Sequence, residues 1–266
     1  MSKNRITKSF EKLAGEKRKG FIPFITAGDP NLATTKDLIL MLAERGATVI
    51  ELGVPFTDPM ADGIVIQRAS ERALKNDFGI AEIFDLVRDA RRETDAAIIL
   101  FSYFNPLLQY GLEKLCMDAK AAGVDGFLVT DLVPEEAGEF SALLQKNDLD
   151  MIFLVAPTSG DERLKMVAEK ARGFIYAVSR AGVTGTREQT SASAEILVNR
   201  VRKFSDLPVA VGFGISTASQ VAETWKYADA AVVGSAIVAE IERQENSGDI
   251  VGKLGEFVKN LLPKNI

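Results

Sequence analysis

The chain is 266 residues long, 47% hydrophobic, and carries 32 Lys and Arg against 37 Asp and Glu, a net charge of −5. Such a chain buries a core without disulfide or metal staples, and its mildly acidic balance, broken only by the short Lys17-Arg18-Lys19 cluster, gives no footprint for nucleic acid or an anionic membrane. A single cysteine, Cys116, and the lack of any histidine exclude internal disulfides, cysteine-rich metal sites and Ser-His-Asp or Cys-His catalysis, which leaves proton transfer to carboxylate, tyrosine or lysine.

Met1 to Lys12 is polar and charged rather than signal-like, and a helix is expected around Ile6 to Leu13. The Val, Ile and Phe-rich run Phe21 to Thr26 reads as a first strand, followed by an amphipathic helix over Leu38 to Arg45. The alternation continues with strand Thr48 to Leu52, helix Ile80 to Ala90, strand Ala97 to Tyr103, helix Leu112 to Ala122, strand Gly126 to Thr130 and helix Glu135 to Leu144. It repeats with strand Met151 to Val155, helix Arg163 to Glu169, strand Phe174 to Val178, helix Ala194 to Val201, strand Pro208 to Gly212, helix Ala218 to Trp225 and strand Ala230 to Gly234. Several helices run into a glycine just before the next strand, as at Gly46, Gly123 and Gly173, where a left-handed stop is expected. No apolar run reaches the roughly 18 residues of a membrane span, and a cytoplasmic protein is expected.

Strand-helix units in this number and order predict a (β/α)8, or TIM, barrel with an extra N-terminal helix, as one domain over residues 1–266. A doubly wound open sheet is the competing fold. The loop after the first strand, Thr26-Ala27-Gly28-Asp29-Pro30, lacks the spaced glycines of a dinucleotide turn, and no linker divides the chain. In a barrel the active site gathers at the C-terminal ends of the strands.

Glu51 places a carboxylate inside the apolar strand Thr48 to Leu52, on the face it shares with Val49. Either face of a barrel strand is poor in water, so this group needs a buried cation or a function. Asp62 lies in the following loop beside Gly63, where a reactive carboxylate and a turn residue both fit; Asp58 before Pro59 reads more as turn chemistry. Asp131 ends the fourth strand and is expected to support or cap. Tyr176 offers an interior phenol or a core tyrosine. No lysine falls in a strand interior, which argues against Schiff-base chemistry. The long polar connection from Ser179, with Arg180, Thr184 and Gly185, the loop Gly212-Phe213-Gly214-Ile215-Ser216, and the run Gly234-Ser235-Ala236-Ile237-Val238 together suggest a phosphate cradle, although glycines also serve tight turns. Met41, Met117, Met166 and Trp225 read as packing.

The stretch Glu51-Leu-Gly-Val-Pro-Phe-Thr-Asp-Pro-Met-Ala-Asp-Gly63 with Ile66-Gln67 closely resembles the signature of the tryptophan synthase alpha chain family. The likeness runs the whole length, through Phe24-Ile-Thr-Ala-Gly-Asp-Pro30, Tyr103-Phe-Asn-Pro106, Ser179-Arg-Ala-Gly-Val-Thr-Gly185, Gly212-Phe-Gly-Ile-Ser216 and Gly234-Ser-Ala-Ile-Val238. The resemblance implies retro-aldol cleavage of indole-3-glycerol phosphate to indole and glyceraldehyde 3-phosphate with no cofactor in this chain. It implies Glu51 as the acid-base group and Asp62 as the carboxylate that holds the indole N–H. It further implies an indole pocket of Tyr176, Phe24, Leu100, Leu128, Leu154 and Phe213, and a phosphate site of Gly185, Gly214, Gly234 and Ser235. A beta chain carrying pyridoxal phosphate is the implied partner, in an alpha2beta2 assembly, with the loops holding Pro55, Asp58, Arg180 and Thr184 relaying the state of the site. Two departures stand out: Ile64 where the family usually has proline, and Pro134 one position later than the common arrangement. A stand-alone lyase, or a silent barrel that only activates the beta chain, are the alternatives.

Overall fold

The computed structural model describes residues 4–178, 187–212 and 214–263. A helix, α1 (Arg5–Gly15), precedes the first strand, β1 (Gly20–Thr26), and α2 (Leu32–Glu44) leads to β2 (Val49–Gly53). Next come α3 (Ile64–Ala73), α4 (Ile80–Ala90), β3 (Ala97–Ser102), α5 (Phe104–Tyr110), α6 (Leu112–Ala122) and β4 (Gly126–Val129). The second half runs α7 (Gly138–Lys146), β5 (Asp150–Val155), α8 (Asp161–Lys170), β6 (Ile175–Val178), α9 (Arg187–Val201) and β7 (Val209–Gly212). It closes with α10 (Ala218–Thr224), β8 (Ala230–Val233), α11 (Ser235–Arg243) and α12 (Ile250–Leu261). The strands are parallel and close a barrel in sequence order, β8 pairing back onto β1. The expected (β/α)8 barrel with its additional N-terminal helix is thus the architecture found.

Side-chain alternation divides the strands into two layers. Ile22, Val49, Ala97, Ile99, Leu128, Ile152, Tyr176, Ala210, Ala230 and Val232 fill the barrel interior. Ile25, Ile50, Leu52, Ile98, Leu100, Phe127, Met151 and Phe153 face the surrounding helices in a continuous outer core. Helix α1 plugs the N-terminal end of the barrel: Ile6 and Phe10 join the interior cluster, and the Phe10 ring lies 5.8 Å from that of Phe174. The opposite end, where the strands finish, is left for the candidate site.

Local signals explain the helix boundaries. Asn4, Asn31 and Asp249 accept amide hydrogen bonds from Thr7, Thr34 and Gly252, which caps α1, α2 and α12. The Asn31 cap starts α2 six residues before the expected Leu38, a start concealed in the sequence by the polar Thr34-Thr35-Lys36-Asp37 segment. The stops expected at Gly46 and Gly123 are left-handed turns, at φ 85° and 89°. Helices α3, α5, α11 and α12 are not among the expected elements; α5 and α11 each begin after a single residue, Tyr103 and Gly234, beyond the preceding strand, so no polar spacer announces them.

Candidate active site

Glu51 projects from β2 into the barrel, as its alternation with Ile50 and Leu52 requires. It is 1% exposed, and its Oε1 has no hydrogen-bond partner among the described residues. Burial with no compensating cation pushes the Glu51 carboxyl up to about 8. Among the described residues no cation pairs with Glu51, so the alternative of a core ion pair finds no partner there. A protonated carboxylic acid held at neutral pH in an apolar cavity is poised to give up a proton.

Asp62 sits in the loop between β2 and α3, half-buried, and burial raises its carboxyl to about 6 while a hydrogen bond from the Tyr103 hydroxyl pulls it back down. Tyr103 follows directly on β3, and its oxygen accepts the Ala61 amide at 2.8 Å. The Phe56 ring packs 5.2 Å from the Tyr103 ring. Tyr103 thus holds both the backbone and the carboxylate of this loop, and burial together with the neighbouring Asp62 charge pushes its own phenol up to about 12. The Asp62 amide also donates to the Pro59 carbonyl at 3.1 Å, so the residue forms a turn as well as presenting a carboxylate. The sequence does not mark Tyr103 as part of the site; its place at the end of a strand is the available signal.

Aromatic rings line the cavity around Glu51. Phe24 is its direct partner in the β1–β2 register, and the Phe24 ring stands nearly perpendicular to Phe101, with centroids 5.2 Å apart at 80°. A Cβ on Gly53 would lie 2.5 Å from the Phe24 ring, and one on Gly212 would lie 2.1 Å from the Tyr176 hydroxyl oxygen. These two glycines admit the rings to the interior, and no side chain fits in their place. Tyr176 is buried, and burial joined by the Glu51 charge raises its phenol well above the usual range. Leu128 and Leu154 point inward as expected. Leu100 does not: it lies in the outer layer with Leu52 and Ile98, and Phe101 takes the inward place at the end of β3. The strand's period of two dictates the correction, because residues 97, 99 and 101 share the inner face.

Gly234 is the N-cap of α11 and Ser235 its first residue, so the opening amides of a nine-residue helix face the mouth directly after β8. Gly214, at φ 76°, turns the chain after β7. Asp131 caps α5 by accepting the Phe104 amide at 2.7 Å, the supporting role expected of it. Pro55 is half-buried, and Asp58 is exposed and bonded to the Thr57 hydroxyl, both on the loop that carries Asp62. Arg180, Thr184, Gly185 and Phe213 lie outside the described residues. Among the described residues no group of three or more His, Cys, Asp or Glu is placed to hold a metal ion, and no helix is long and apolar enough to cross a membrane.

A family profile described as tryptophan synthase alpha chain matches residues 10–262. Among curated relatives, the tryptophan synthase alpha chain of Geobacter sulfurreducens is 51% identical over 240 residues, covering 90% of this chain and 91% of its own. That of Solibacter usitatus is 48% identical, covering 97% and 96%. Among solved structures, tryptophan synthase subunit alpha from Legionella pneumophila superposes with a TM-score of 0.90 at 38% identity, over 98% of this chain and 97% of that one. A chain of the tryptophan synthase α2β2 complex of Pyrococcus furiosus superposes with a TM-score of 0.84 at 41% identity, over 91% and 97%.

Proposed function

The chain belongs to the tryptophan synthase alpha chain family, and from that membership and the strand-end geometry we infer which of its residues cleave indole-3-glycerol phosphate to indole and glyceraldehyde 3-phosphate. It is a carbon-carbon lyase of tryptophan biosynthesis that pairs with a beta chain. Glu51 is the acid-base group. Its carboxylic acid protonates the indole ring carbon that bears the glycerol chain, which leaves positive charge on the ring nitrogen. The Glu51 carboxylate so formed then takes the proton of the hydroxyl on the adjacent chain carbon. That hydroxyl becomes the aldehyde of glyceraldehyde 3-phosphate, the carbon-carbon bond breaks, and its electron pair restores the aromatic indole. Glu51 ends protonated, as it began.

Asp62 accepts the indole N–H and offsets the charge that develops there, through a contact that Tyr103 holds in place before reaction. The indole ring stacks among Phe24, Phe101, Leu128, Leu154 and Tyr176, with Phe213 expected to join them. The phosphate binds at Gly234 and Ser235 on the start of α11, with Gly214 and Gly185 completing the cradle. The indole ring is its own electron sink in this reaction, so this chain's step calls on no cofactor, and pyridoxal phosphate is assigned to the beta chain. The loops with Pro55, Asp58, Arg180 and Thr184 are assigned to relaying the state of the site to that partner. The chain works as one barrel domain in a cytoplasmic alpha2beta2 assembly.

The observation that carries this reading is the inward, buried Glu51 with no counter-ion among the described residues. Indole release from indole-3-glycerol phosphate, measured with and without beta chain, tests it. Release that the beta chain accelerates is the expected result. Release that ignores the beta chain means a stand-alone lyase, and no release in either case means a silent barrel.

A further inference from the structure

The described residues leave one other polar group orphaned at the mouth of the barrel. Thr26, the last residue of β1, is 2% exposed, and its Oγ1 is buried with no hydrogen-bond partner. Ile25 packs in the outer core and Ile22 inside the barrel, so alternation along β1 turns Phe24 and Thr26 to the same inward face as Ile22. Its register partner on β2 is Gly53, two residues beyond Glu51 and therefore one side-chain layer nearer the mouth. Gly53 has no side chain and the Phe24 ring takes up that space, so on this side of the barrel the inward layer runs from Glu51 and Phe24 to Thr26 at the mouth. A buried hydroxyl without a partner is destabilising, so Thr26, unpartnered among the described residues, is available to a polar group of a ligand in the cavity.

The order of strands indicates that group. β1 lies between β2, which bears Glu51, and β8, which leads into Gly234 and Ser235. A substrate with its reacting carbon at Glu51 and its phosphate at the start of α11 must lay the intervening chain across the end of β1. That chain carries hydroxyls. We propose that Thr26 is a substrate-binding residue whose hydroxyl hydrogen-bonds the hydroxylated chain between the indole ring and the phosphate. It selects hydroxylated chains over plain alkyl ones, because a ligand without the hydroxyl leaves Thr26 as orphaned as before. The inference rests on the placement of Glu51 and the phosphate site given above.

The test is Thr26→Val, which keeps the β-branched shape and removes the hydroxyl, in the assembled complex with the beta chain. Two ligands are compared: indole-3-glycerol phosphate, and indole-3-propanol phosphate, whose chain lacks the internal hydroxyls. Thermal stability should hold or rise, since an orphan hydroxyl is gone. The kcat/KM for the substrate should fall about tenfold or more, the worth of one hydrogen bond, while the Kd of the propanol phosphate stays unchanged and Thr26→Ser restores most of the lost activity. An unchanged kcat/KM, an equal loss for both ligands, or a shifted pH optimum with unchanged substrate selectivity would overturn the proposal, the last by assigning the hydroxyl to Glu51 instead. Glu51→Gln measured alongside keeps the two readings apart: if it still turns over, the acid-base assignment fails, whatever Thr26→Val does.

Discussion

Two carboxyl groups with different surroundings stand at the mouth of the barrel, and the proposed mechanism divides the work between them. Burial alone holds Glu51 near 8, whereas Asp62, partly relieved by the Tyr103 hydroxyl, stands near 6. On the proposed mechanism the reaction begins from protonated Glu51 and ionised Asp62. The kcat/KM profile should therefore be a bell, falling below about 6 as Asp62 gains a proton and above about 8 as Glu51 loses one. Initial rates across this range check it; a rate that climbs through the upper limb would reverse the role given to Glu51. Tyr103→Phe removes the bond that lowers Asp62, so the acid limb should move to higher pH with a loss of about tenfold in kcat, measured in the same profile. At this scale the sequence was informative wherever a charge broke an apolar pattern, as at Glu51. It was silent where the signal lay in contacts between distant segments. Tyr103 looked like any strand-end aromatic, and Leu100 was confused with Phe101 because a continuous apolar strand such as Ala97-Ile-Ile-Leu-Phe101 shows no alternation to separate its two faces.

Helix α3 carries the Asp62 loop and is fixed at its far end. Arg72 binds Asp29 through two hydrogen bonds of 2.8 Å and reaches Glu242 on α11 at 2.8 Å, while Arg68 grips the same Glu242 at 2.7 Å. Asp29 is 1% exposed. Arg72→Met leaves that carboxylate buried and uncompensated, and should cost about 3–5 kcal/mol of stability by denaturant titration. A loss within about 0.5 kcal/mol would mean that Asp29 is re-solvated or neutralised at little cost. The near end of α3 holds Ile64 in place of the usual proline. Gly63 before it is extended, at φ −71° and ψ 158°, and Ile64 is the first helical residue and 62% exposed. Both positions accept a proline without strain. Ile64→Pro should add about 0.4–1 kcal/mol of stability, raise indole release by the isolated chain and shrink its activation by the beta chain. Equal activation ratios in the two versions would show that position 64 does not set the loop. None of this network was legible in the sequence, since α3 joins residues 43 and 170 positions away along the chain.

The whole molecule follows from one constraint: a closed parallel barrel plugged at its N-terminal end leaves a single wet mouth, and every polar residue pointed inward near that mouth meets the others. Strand-helix alternation made the barrel legible from sequence, because each unit must bury one apolar face against its neighbour. The strand order and the inward layer then placed Glu51 opposite its aromatic wall without any local motif requiring it. The central claim is that this one buried carboxyl moves both protons of the cleavage. Glu51→Gln preserves the side chain's shape and removes its acid. The decisive measurement is the rate of indole release from indole-3-glycerol phosphate by Glu51→Gln and by the parent chain, each saturated with beta chain. A loss of about 10²-fold or more, with folding and binding of the beta chain intact, is the result expected; release at the parent rate would contradict the account.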